Sequence, residues 1–155
     1  MKRLNFLLFG TAIAATLALG GLASAQSQQE AVATRQAQFK LFQEQLATLG
    51  NMARGTTPYD AATASAAAAA LSEAAARDQD GLWPEGTDSA SISGTRALPV
   101  IWDNYEDFLS RFETLRTAAT QMETAAGTDL ASLQGAMGGL SGACGACHRD
   151  YRAPE

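Results

Sequence analysis

Histidine is almost missing from this chain: among 155 residues only His148 carries an imidazole. A zinc site would therefore lack ligands, and an iron held by two histidines of one chain is impossible. Cysteine is nearly as scarce. Cys144 and Cys147 are the only two and stand three positions apart, so no disulfide framework staples the fold. Basic residues are outnumbered, with 11 Lys and Arg against 16 Asp and Glu for a net charge of −5, and nucleic acid is an unsuitable partner for such a surface. Strand-like alternation is absent, as is any repeat at solenoid periods.

What is present begins with Lys2 and Arg3 ahead of an uncharged apolar run that closes on Ala23-Ser24-Ala25. A basic start, an apolar middle and small residues two apart make a secretory signal peptide, residues 1–25, cleaved before Gln26. The uncharged stretch is also long enough for an uncleaved membrane anchor, but the small-residue ending is what a signal peptidase needs. No cysteine follows Ala25 to carry a lipid, and no later segment is apolar enough to span a membrane. Cleavage removes two of the 11 basic residues and no acidic one, moving the formal charge from −5 to −7. The remaining residues, 26–155, suit one domain with its own core.

Four stretches of that domain have helical periodicity. In the strongest, Ile101, Tyr105, Phe108, Phe112, Leu115, Ala119, Met122 and Ala126 recur at steps of four and three, one apolar stripe on one helix. Pro99 suits its first turn and Gly127 its end. Residues 28–54 repeat the device with Val32, Phe39, Phe42, Leu46 and Leu49 before Gly55. A second helix is expected from Pro58, its body from 61 to 76 mostly alanine, which favours helix and lets a neighbour approach closely. The last stretch, 128–151, puts Leu130, Leu133, Met137, Leu140, Cys144, Cys147 and Tyr151 on one face, yet holds five glycines at about 1 kcal/mol each against alanine. Residues 79–98, with Trp83-Pro84, Gly86 and Gly94, form a long ordered loop of the kind that serves a site. The expected fold is all-α, an antiparallel up-down-up-down four-helix bundle with one long crossover.

The chemistry lies at Cys144-Gly-Ala-Cys147-His148. Two thiols that add across porphyrin vinyl groups and an imidazole that reaches the iron from the same side make a covalent haem c site, one per chain, with His148 as the metal ligand. Export fits, because c-type haem is attached outside the cytoplasm. A thioredoxin-like motif would need a strand–helix context that is not there, and a simple disulfide leaves His148 unexplained. The sixth iron position must be methionine, another group or empty. Met52, Met122 and Met137 are the methionines after the initiator, and the last two read as core.

Arg35-Gln36 in the first helix, Trp83 in the crossover, Leu98-Pro99-Val100-Ile101-Trp102 and a C-terminal Cys-x-x-Cys-His followed by Tyr151-Arg152 together resemble the class II c-type cytochromes, specifically the cytochrome c′ family, over essentially the whole mature chain. The resemblance implies that Arg35 and Gln36 meet a haem propionate, that Thr95 and Arg96 lie where the crossover touches the haem, and that Arg152 is the arginine on the proximal side. It places Phe39 where low-spin relatives carry a ligating methionine, so a bulky apolar group would guard the distal face. Taken together, a periplasmic cytochrome with five-coordinate, high-spin haem is expected, one that binds nitric oxide and carbon monoxide, changes iron oxidation state with redox partners and has no catalytic residues or turnover. A homodimer on the first two helices is also implied. The alternative is a six-coordinate, low-spin electron carrier, and a thiol oxidoreductase is a more distant third.

Overall fold

The computed structural model describes the backbone of residues 14–154 and the side chains of residues 26–154. Residues 1–13 of the expected signal peptide lie outside this range. Five helices follow in order: α1 (Ala14–Ala53), α2 (Ala61–Ala75), α3 (Val100–Asp103), α4 (Tyr105–Ala126) and α5 (Leu130–Tyr151). The four long ones close a ring of neighbours, α1 against α2, α2 against α4, α4 against α5 and α5 back against α1. This is the four-helix bundle expected from the periodicity, with one long crossover between α2 and α3.

Local chemistry sets the ends. Gly55 takes φ +72° after α1, and Thr56 N–H donates to Asn51 O at 2.9 Å, the 6→1 closure that a left-handed residue permits. The second helix starts later than Pro58 because Asp60 caps it: the carboxylate accepts from Thr63 N–H at 2.7 Å. Asp129 caps α5 likewise through Ser132 N–H at 2.7 Å. The third expected helix is divided at Asn104, whose φ −129° and ψ 43° are not helical. Just before the break, Trp102 is held toward the crossover by a 3.0 Å bond from its Nε1 to Trp83 O. Ile101 and Phe108 nevertheless both stay buried, so the apolar stripe survives the break.

Two apolar clusters form the interior. Phe42, Leu49, Met52, Leu71, Leu115, Met122, Leu133 and Leu140 pack with the alanines of α2 along the bundle, each large side chain contributing roughly 1.5–3 kcal/mol. Trp83, Ala97, Ile101, Phe108, Phe112 and Tyr151 pack at the crossover end. Phe39 touches both. Among the described residues strand structure is limited to an isolated antiparallel bridge, Ala97 with Arg152.

Candidate functional site

Where the two clusters meet, α1, the crossover, α4 and α5 enclose a cavity of about 590 Å³, within the size range of cofactor sites. The position of each helix follows from its stripe. From α1 come Arg35, Gln36 and Phe39; from the crossover Trp83, Thr95 and Arg96; from α5 Cys144, Cys147 and His148, with Arg152 just beyond it. All ten residues singled out in the sequence therefore line one cavity. Phe42, Leu46, Ile101, Phe108, Phe112 and Leu115 complete the apolar wall.

The cysteine face of α5 is the reactive edge. Both thiols are half-buried and unbonded to each other, and burial pushes Cys147 up to about 11 and Cys144 upward as well. They are neutral thiols near pH 7, unlike the depressed pair of a thiol oxidoreductase. Burial also pulls His148 below the ordinary imidazole value, helped by the positive charges of Arg152 and Arg96. A neutral imidazole is the form that ligates a metal. Among the described residues no group of three His, Cys, Asp or Glu side chains could hold a bare metal ion.

Arg35 is 2% exposed and fully engaged with the crossover. Its Nη1 donates to Thr87 Oγ1 at 2.8 Å and Leu82 O at 3.3 Å, and its Nη2 to Thr95 Oγ1 at 3.1 Å and to Thr87 O. Desolvation lowers it to about 10, with Asp88 opposing. Gln36 Nε2 donates to Gly94 O at 2.7 Å. These two side chains thus have a scaffolding duty, drawing the crossover onto α1, besides facing the cavity.

Trp83 is held in turn by Gln79, whose Oε1 accepts from Trp83 Nε1 at 3.2 Å, and Gln79 Nε2 reaches the buried Gln38 Oε1 at 3.4 Å. Sequence reasoning passed over Gln38, Gln79 and Thr87, because a buried polar residue inside a loop or stripe reads as solvated. It also passed over Arg111, a further cavity-lining residue, paired with Asp107 at 2.9 Å and Asp150 at 3.4 Å. The i,i+4 Asp107–Arg111 spacing was a visible signal. Tyr151, expected only to pack, donates its hydroxyl to Asp107 as well.

The donor set fits a haem: an apolar slot for a flat macrocycle, two thiols for its vinyl groups, one imidazole for iron, and a Gln donor with a buried Arg cation behind it for its carboxylates.

Comparison with known proteins agrees. The pattern of the family described as Cytochrome C′ matches residues 30–152. Cytochrome c-554 of Cereibacter sphaeroides is 42% identical over 112 residues, 72% of this chain and 73% of the relative, and cytochrome c′ of the same species is 34% identical over 135 residues, 87% and 91%. The solved cytochrome c′ from Rhodobacter Spheriodes superposes with a TM-score of 0.79 at 32% identity, covering 83% of this chain and 98% of that one. Solved forms of cytochrome c′ from Alcaligenes xylosoxidans include a nitric oxide complex of one mutant and a carbon monoxide-bound variant, each with a TM-score of 0.71 at 27% identity, covering 83% and 82% of this chain and 97% of the other. With its bundle, its cysteine–histidine motif at the end of the last helix and these likenesses, the chain belongs to the cytochrome c′ family, whose members carry covalent haem c.

Proposed function

We propose that this chain is a periplasmic cytochrome c′ with one haem joined through Cys144 and Cys147, ligated by His148 and five-coordinate, which binds nitric oxide and carbon monoxide and exchanges electrons without turnover. The observation that carries the reading is the composition of the cavity wall. His148 is its one imidazole, and no methionine is among its lining residues; Met52 and Met122 are buried in the bundle core and Met137 packs against it. Phe39, which cannot ligate, projects from α1 instead. The gas complexes of the Alcaligenes xylosoxidans proteins support the ligand class.

When bound, the haem supplies the iron that takes the gas or the electron. The chain's own part is to hold a neutral imidazole at the end of α5, exclude water with the aromatic wall, and restrict access through Phe39. Gln36, whose Nε2 keeps a second proton beside Gly94, is the donor for a propionate, and the Arg35 cation behind it, engaged with the crossover, adds electrostatic attraction. Cleavage after Ala25 and a homodimer through α1 and the alanine face of α2 belong to the same reading. No described helix is long and apolar enough to cross a membrane.

An absorption spectrum of the ferrous holoprotein with and without carbon monoxide tests this. A broad high-spin spectrum that shifts on adding the gas is expected; a sharp low-spin pattern unmoved by it would sink the proposal in favour of a six-coordinate electron carrier.

A further inference from the structure

The crossover and the C-terminal tail meet in a short tie beside the last turn of α5. Leu98 N–H donates to Tyr151 O at 3.0 Å, Ala153 N–H donates to Arg96 O at 2.8 Å, and Ala97 pairs with Arg152 between them. The Arg96 guanidinium closes on the same peptide, its Nε and Nη2 both donating to Ala153 O at 2.9 and 2.6 Å. Arg152 N–H then donates back to His148 O at 3.3 Å. On the other side, Gln36 holds Gly94 O and Arg35 holds Thr95 Oγ1. A continuous hydrogen-bonded path therefore runs from α1, which carries Phe39, through residues 94–98 to the turn that carries His148.

We propose that Arg96 is a positioning residue for His148: by clasping the Ala153 carbonyl it locks the end of α5 to the crossover and so sets how the imidazole is presented to the cavity. Helix ends open with little free energy unless tied, and this end follows a run of glycines that weakens the helix. A guanidinium fork can make two donor bonds to one carbonyl, whereas an ammonium is a single point. The inference rests on the five-coordinate reading above, with His148 as axial ligand.

The test uses the full-chain holoprotein and its Arg96→Gln variant. Amide exchange at Leu98 and Ala153 is expected to quicken at least tenfold, and the iron–histidine stretching band of the ferrous protein, read by resonance Raman, to move or broaden; Arg96→Lys should fall between. A second variant that ends the chain at Arg152 removes the acceptor. It should reproduce the band change, and Arg96→Gln should add nothing to it. The truncation decides by the same criterion if Arg96→Gln does not fold. A band unchanged in position and width, or two fully additive effects, overturns the proposal alone. A wild-type ferrous spectrum lacking that band overturns the five-coordinate reading and this proposal with it.

Discussion

The guanidinium carbon of Arg35 lies 4.5 Å from the centroid of the Trp83 ring, while the guanidinium nitrogens bind Leu82, Thr87 and Thr95. One buried cation thus fixes both the ring that walls the cavity and the loop that carries it. A desolvated cation–π contact is worth roughly 2 kcal/mol, and stranding buried acceptors adds about 1–3 kcal/mol. Arg35→Leu is therefore expected to destabilise the holoprotein by about 3 kcal/mol or more in chemical denaturation. Arg35→Lys should recover part of this, since it keeps the charge and loses the fork. A loss under about 1 kcal/mol for Arg35→Leu would mean the crossover is held by other contacts.

Phe39 stands against Phe42, Trp83 and Phe112 at ring-centroid distances of 6.0, 6.2 and 6.4 Å. Its ring is confined on three sides and turned to the cavity. Shortening it to alanine should speed carbon monoxide association at least tenfold, a barrier change of about 1.4 kcal/mol, measured by flash photolysis or stopped flow. Phe39→Met should convert the ferrous spectrum toward low spin. If it stays high-spin with unchanged gas kinetics, position 39 does not govern access to the iron.

How far the sequence reaches can be judged at these same residues. The inward face of Phe39 and the grouping of Cys144, Cys147 and His148 were legible because periodicity and motif spacing are local, and a helix converts spacing into a shared face; the place of Phe39 at the cavity came from the family resemblance. The break at Asn104 was not: it accompanies a bond from Trp102 to Trp83 O, a partner nineteen positions away. The same holds for Arg35, whose sequence neighbours give no sign that its partners lie at 82, 87 and 95. Long-range polar contacts of a crossover leave no period to read.

Tyr151 donates its hydroxyl to the Asp107 carboxylate, and this hydrogen bond makes stability depend on pH in a definite direction. Burial, then the bond to Asp107, pushes Tyr151 up to about 12 from an ordinary 10, while the bonds from Tyr151 and Arg111 hold Asp107 below the usual carboxylate value. A raised tyrosine stabilises fully below pH 10 and loses that contribution as pH rises toward 12; a depressed carboxylate stabilises above its unfolded value near 4 and loses that as pH falls. The contribution of this pair to the urea midpoint should therefore be flat between these limits and fall on both sides. In Tyr151→Phe the midpoint at pH 7 should be lower and part of the alkaline decline should vanish. An alkaline limb identical to wild type would show that Tyr151 does not titrate in this range.

The glycines of α5 divide from Gly127 by what a side chain would meet. A Cβ at Gly138 or Gly142 encounters no atom within 4 Å, both positions are exposed, and neither lines the cavity. Alanine there should stabilise the helix by roughly 1 kcal/mol each through backbone propensity. At Gly127 the Cβ would lie 2.1 Å from Ser65 Oγ on α2, so alanine forces the serine to turn where the two helices approach. Thermal melts of the holoprotein should rise for Gly138→Ala and Gly142→Ala, by a few degrees when combined, and stay level or drop for Gly127→Ala. A fall in the first two would mean that α5 needs those glycines bare, for a partner surface that packs against this face.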